Sequence, residues 1–166
     1  MSFEDIYQQY SEAVFQYIYF LVGQQTLAED LMQETFLKAY HGMAQFKGEA
    51  TYKTWLITIA RNTTYDHFRK NKWVKLIPFL KEHEALDFTY APESWLLSNE
   101  QSREFYEMLG QLKYEYREAI VLTKLEGFSV KQAAEILNWN EKKVENAVLR
   151  GIKKLGAQFG GEENAR

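Results

Sequence analysis

The sequence predicts an all-α chain of two small helical units joined by a linker, the second unit carrying a helix-turn-helix. Two observations carry that prediction. Only two prolines, Pro78 and Pro92, occur in 166 residues, and no run sustains the two-residue alternation of a half-buried strand. Apolar residues recur instead at three-and-four spacing, and at 46% of the chain, with 16% aromatic, they supply enough material for packed cores. Both prolines fall in one short stretch, which divides the chain.

Ser2 is placed to cap a first helix whose stripe is Phe3, Ile6, Tyr7, Tyr10, Val14, Tyr17, Ile18 and Leu21, and Gly23 ends it. Thr26 is expected to open a second helix, with Glu29 completing a capping box. Its buried stripe reads Leu27, Leu31, Thr35, Phe36, Ala39, Tyr40 and Met43. The other face reads Asp30, Gln33, Glu34, Leu37 and His41, acidic and polar with a leucine in its middle. After a turn at residues 46–50, a third helix is expected from about Thr51 to Lys72. Tyr52, Trp55, Leu56, Ile59, Ala60 and Thr63 share its inner face, while Arg61, Arg69 and Lys70 project toward other sides. Asn62 and Asp66 lie near the edge of the stripe, and Trp55, on it, reads as core.

Residues 73–92 read as the linker, with Leu76, Ile77, Phe79 and Leu80 suited to a short docking helix. Further helices are expected at about 94–109, 112–126, 129–137 and 141–157. Gly127 ends one, and Ser129 caps the next with Gln132 at the third position. Val130, Ala133, Ala134 and Leu137 form a small-residue packing face. Asn138-Trp139-Asn140 makes a three-residue turn, and Asn140 caps a final helix with Val144, Val148, Ile152 and Leu155 on its buried side. A short helix, a tight turn and a longer basic helix form the geometry that lays a helix in the DNA major groove. The expected division is 1–72, a linker 73–92, a second unit 93–159 and a flexible tail 160–166.

The formal charge of −3, from 20 basic and 23 acidic residues, argues weakly against nucleic-acid binding until it is read by segment. Residues 1–37 carry six acids and no base; residues 38–75 carry eight bases and two acids. A second basic cluster, Lys142, Lys143, Arg150, Lys153 and Lys154, is opposed within 142–154 only by Glu145. The absence of cysteine excludes disulfides, thiolate metal sites and a cysteine nucleophile, and fits a reducing, cytoplasmic setting. The early apolar run at 17–22 is far short of the ~18 residues of a membrane span, so neither an export signal nor a transmembrane helix is expected. No phosphate-binding glycine loop, GxSxG or HExxH occurs, and no glutamate stands three residues before His41, His67 or His83. An enzyme is not expected, nor a cofactor, metal or small-molecule substrate.

Three blocks of residues resemble the extracytoplasmic-function (ECF) sigma factors, which direct bacterial RNA polymerase to promoters. The stretch from Ala28-Glu29-Asp30-Leu31 to Leu37-Lys38-Ala39-Tyr40 is similar to the family's polymerase-binding segment. Phe46-Lys47-Gly48-Glu49-Ala50, Lys53-Thr54-Trp55-Leu56 and Ile59-Ala60-Arg61-Asn62 resemble its promoter-melting and minus-ten segment. Tyr116-Arg117-Glu118-Ala119, Leu125-Glu126-Gly127-Phe128-Ser129 and the helix-turn-helix resemble its minus-thirty-five domain.

The resemblance implies that Asp30, Gln33, Glu34 and Leu37 dock on the beta-prime clamp helices of core RNA polymerase, with the beta flap as a second contact. It implies phosphate contacts by Arg61, Arg69, Lys70 and Lys72, with Lys47 and Asp66 in the same minus-ten surface. Phe46, Gly48 and Asn62 correspond to a pocket for a base flipped from the melted strand; an aromatic suits its ring face and an amide its edge. Lys142, Lys143, Asn146 and Arg150 would face the minus-thirty-five duplex, with Lys153 and Lys154 near phosphates. The chain departs from the family pattern at Glu145, Ala147 and Ile152; a glutamate accepts from a cytosine amino group but repels phosphates. A membrane-linked anti-sigma factor is the implied regulator. A stand-alone helix-turn-helix regulator accounts for residues 112–157 but leaves the acidic face and the basic third helix without a role.

Overall fold

The structure, a computed structural model, describes residues 1–70 and 99–163. Lys72, the expected linker and the apolar piece at 76–80 lie outside the described residues. Among the described residues the chain is helical throughout, with no strand. Helix α1 spans Phe3–Val22, α2 Gln25–Gly42 with a 3-10 turn at Met43–Gln45, and α3 Tyr52–Lys70. Helix α4 spans Asn99–Gln111, and α5 (Tyr114–Ile120) runs into a π turn at Val121–Leu125. The last two are α6 (Val130–Leu137) and α7 (Glu141–Glu163).

Ser2 caps α1 in a full capping box with Asp5, and α1 ends at Gly23 in the left-handed conformation. That turn corrects the expected start of α2. Only two residues separate the helices, so α2 begins at Gln25, its N-cap Gln24 makes no side-chain bond, and Thr26 is already inside the first turn. The glutamate expected in a capping box, Glu29, instead accepts from Gln25 Nε2 at 2.9 Å.

Helix α1 is the centre of the molecule. α1 packs on α2 and α3, and Ile6, Val14, Tyr17, Ile18 and Leu21 of its expected stripe are buried, whereas Tyr7 on the same stripe is 40% exposed. Every residue from Tyr17 to Val22 is buried, however, not one face alone. The second side is covered by the C-terminal helices: Phe20 stacks on Tyr106 of α4 at 5.3 Å, and α1 also touches α5 and the π turn. A helix apolar all round is buried all round.

In the C-terminal unit, α5 and α6 pack on α7. The expected buried position Ile152 is exposed at 42%, and Gly151 takes its place against α5. A Cβ at Gly151 would run into Ile120 Cδ1 and lie 3.3 Å from Tyr116 Cβ, so a larger residue there would have to displace α5 side chains. Once Gly151 sets the contact, Val144, Ala147, Val148 and Leu155 are the buried positions of α7.

Candidate polymerase and nucleic-acid surfaces

On α2, Asp30, Gln33, Glu34 and Leu37 are exposed at three-and-four spacing and form one face. Leu37 is 61% exposed with Glu34 beside it, the latter paired with Lys38 at 3.1 Å. Tyr40, expected in the buried stripe, is also 61% exposed and extends this face by one turn, its ring edge-on to Phe3. Phe36 takes the inner position, itself edge-on to Tyr7.

The loop after α2 is organised by aromatic contact. Phe46 stacks on Tyr52 at 4.7 Å and leans on Trp55 at 4.8 Å. Trp55 is half-buried and walls an open cleft between α2 and α3, with Lys38, Gln45, Ile59 and Asn62 around it. Lys38 spans the two helices by donating to Thr63 Oγ1 at 3.2 Å. Asn62 is exposed on the cleft's edge; Lys47 and Gly48 are exposed in the loop, Gly48 with φ +73° and open space around its Cα. Thus Trp55 joins Phe46 on one side to Asn62 on the other.

At the end of α3, Arg69 and Lys70 are exposed, and Arg69 pairs with Asp66 at 3.5 Å. Arg61 does not project outward as expected. Its side chain is about as buried as an ion pair allows, 10% exposed, with Nε donating to Glu118 Oε1 at 2.9 Å and the guanidinium 4.5 Å from the Tyr65 ring. A charged side chain can take an inner position when a counter-charge is delivered there, and Glu118 comes from α5, 57 residues away. Burial pushes the Glu118 carboxyl above its ordinary value and Arg61 restrains the rise; burial draws Arg61 down, but the charge and hydrogen bond of Glu118 hold it above its own.

In the helix-turn-helix, Ser129 and Gln132 form the expected capping box. Asn138 takes the left-handed conformation in the turn, and Asn140 Oδ1 caps α7 by accepting from Lys143 N at 2.7 Å. Lys142, Lys143, Asn146, Arg150, Lys153 and Lys154 are all exposed. The first four line an open cleft with Glu115 and Tyr116 of α5. Lys143 is steered by Glu115 at 3.7 Å and by the Trp139 ring at 4.2 Å; Lys154 lies over Tyr116. Of the three departures, Ala147 is buried and faces the core, while Glu145 and Ile152 stand on the surface.

Among the described residues no His, Asp and Glu cluster could hold a metal, and no helix is long and apolar enough to cross a membrane. The Sigma-70 region 2 family matches residues 6–74 and the Sigma-70 region 4 family residues 102–155. The ECF RNA polymerase sigma factor SigX of Bacillus subtilis is 30% identical over 158 residues, 93% of this chain and 81% of SigX. This chain belongs to the ECF sigma factors. It is a transcription initiation factor and not an enzyme. The RNA polymerase sigma factor YlaC of the same species is 31% identical, over 93% of this chain and 90% of YlaC. Among solved structures, the sigma factor RpoE in complex with the anti-sigma factor NepR from Bartonella quintana gives a TM-score of 0.73 at 25% identity, covering 95% of this chain and 96% of RpoE. CnrH in complex with the cytosolic domain of CnrY gives 0.67 at 25%, covering 96% of this chain and 88% of CnrH.

The sigma-factor motif Tyr116-Arg117-Glu118-Ala119 holds residues the sequence reading gave no role. Arg117 is 3% exposed, and its guanidinium donates to the carbonyls of Leu109, Gly110 and Leu112 at the end of α4 and of Leu21 at the end of α1. Burial draws it down to about 9, still charged at neutral pH. The signal that foretold a second partner for α1 was the uninterrupted apolar run at 17–22.

Proposed function

We propose that this sigma factor docks on core RNA polymerase through Asp30, Gln33, Glu34 and Leu37, and reads promoters with two heads, residues 1–72 and 93–159, joined by 73–92. The minus-ten head would use Phe46, Gly48 and Asn62 around the α2–α3 cleft for a melted base, with Lys47, Arg69, Lys70 and Lys72 on phosphates and Asp66 orienting Arg69. The minus-thirty-five head would use Lys142, Lys143, Asn146 and Arg150, with Lys153 and Lys154 on the backbone. Phosphate contacts position the protein and base contacts specify sequence. Arg61 joins the minus-ten surface only when Glu118 has left it.

The observation that carries this reading is the exposed basic and amide face of α7, set by the Asn138 turn and facing away from a core of Val144, Ala147 and Val148. A stand-alone regulator would leave the Leu37-centred face of α2 unused. The fold neighbours solved with NepR and with the cytosolic domain of CnrY support an anti-sigma regulator, membrane-linked, and a cytoplasmic site of action. Purified protein added to sigma-free bacterial core polymerase should yield promoter-specific transcripts from genomic template, and Glu34→Lys should weaken core binding with helix content intact. Absence of specific initiation on any genomic template refutes the reading; unchanged core binding removes Glu34 from the docking face.

A further inference from the structure

Helix α7 carries two unlike edges. Toward α5 it is cationic: Lys143 is held by Glu115 and the Trp139 ring, Lys154 lies over Tyr116, and Arg150 lines the cleft against α5. Along the other edge stand Glu145, Leu149 and Ile152, all exposed. Leu149 is 65% exposed and Ile152 42%, and at three-residue spacing they are neighbours on the helix surface. Apolar residues scattered singly on a surface need no explanation, but this pair borders the face proposed for promoter DNA. Leu149 stands at three-and-four spacing from Asn146 and Lys153, and about 200° round the helix from Gly151, which faces α5. Its side chain is directed away from the core.

We infer that Leu149 reads a thymine of the minus-thirty-five element through its methyl group, within one base-pair step of an adenine taken by Asn146. The inference rests on the reading of α7 as the helix laid in the major groove. Phosphates attract the cationic edge beside α5 and repel Glu145, which turns the edge of Glu145 and Leu149 toward the bases. Base-pair edges in the major groove present polar donors and acceptors, and the thymine methyl is the one methyl group among them. A leucine set over an amino or carbonyl group strips its water and returns no hydrogen bond. Set over the methyl, it removes apolar surface from water on both sides. Asn146 matches the amino group and ring nitrogen that adenine shows in the same groove. Three residues of helix advance about 4.5 Å, against ~3.4 Å between base pairs, so the two side chains address the same or adjacent steps.

The test uses holoenzyme, with the wild-type chain or Leu149→Ala on core polymerase, and a promoter located by mapping transcript starts. Leu149 is exposed, so the alanine variant keeps its fold, which circular dichroism checks. Each thymine of the upstream duplex is replaced in turn by deoxyuridine, which pairs as thymine does and lacks only the methyl. Competition against the fluorescein-labelled promoter should reveal a position where wild type binds the deoxyuridine duplex about fourfold more weakly, the worth of one buried methyl. Leu149→Ala should bind the thymine duplex more weakly and lose that difference. No sensitive position, or a sensitivity that Leu149→Ala retains, overturns the inference. So does a loss of core-polymerase affinity in Leu149→Ala, which would make the residue a protein contact. Absence of any promoter-specific complex refutes the reading of α7 itself, before any thymine is changed, and the inference falls with it.

Discussion

Replacing Arg117 by alanine is expected to destabilise the folded chain by about 3–5 kcal/mol. Its guanidinium donates to Leu21, Leu109, Gly110 and Leu112 carbonyls at 2.6, 3.1, 3.1 and 2.9 Å. Charge-assisted bonds at roughly 1.5–3 kcal/mol each give a gross loss of about 6–12 kcal/mol. Removing the side chain also removes the cost of dehydrating a buried cation, several kcal/mol, which leaves a net loss of about 3–5. The carbonyls left behind sit at the ends of α1 and α4, where the partial negative charge of a helix collects and where neither helix carries a basic residue in its last turn. For a chain of this size the loss corresponds to a drop in Tm of roughly 6–20 °C. Urea unfolding followed by far-UV circular dichroism measures it directly. Arg117→Lys keeps the charge but offers one ammonium to acceptors on two helices, so roughly half of the loss should persist. A loss under about 1 kcal/mol for the alanine variant would show that the bond to Leu21 across the two units and the three bonds within the second unit do not hold the fold together.

The Tyr17 hydroxyl is buried with no partner among the described residues, so Tyr17→Phe should leave stability unchanged or raise it by about 1 kcal/mol, and a clear loss on thermal melting would mean that the hydroxyl is satisfied. Glu126 titrates above its ordinary value of 4.5 because burial outweighs Lys53. The folded chain therefore keeps a proton that the unfolded chain releases, and the stability this contributes is present below pH 4.5 and lost as pH rises through the folded value. Glu126→Gln should abolish that loss; parallel stability profiles of variant and wild type from pH 4.5 to neutrality would show that the carboxyl titrates normally. Arg69→Ala with Lys70→Ala should flatten the dependence of promoter binding on log salt by roughly 1.4–1.8, two phosphates' worth of released counterions. An unaltered slope would take the end of α3 off the DNA.

Where the sequence punctuates itself, the fold was legible. Ser2, Ser129 and Asn140 caps and the Gly23 stop stand where their side chains or missing side chains require. The start of α2 was not, because Gln24 caps nothing and the left-handed Gly23 feeds the chain straight into helix. Periodicity also ranks residues by apolarity alone, which put Ile152 inside and overlooked Gly151, although a close crossing needs the smallest residue rather than the greasiest. Tyr40 was misplaced for the same reason: a tyrosine on the stripe can still lie outside when Phe3 and Phe36 have filled the space beneath it. The exposure of the α2 face and of the basic face of α7 could be read because exposure of charge is the default. Arg61 could not, since a buried cation becomes intelligible only with its carboxylate, and nothing local announces Glu118.

The 57-residue separation of Arg61 and Glu118 also has a meaning in time. A chain that grows at about 5–20 residues per second makes α3 roughly 3–11 s before it makes Glu118. Throughout that interval Arg61 lacks the Glu118 carboxylate, and Lys53 the Glu126 carboxylate, that the finished fold gives them. The ion pairs between α3 and the segment from α5 through the π turn are therefore contacts that only a nearly complete chain can make.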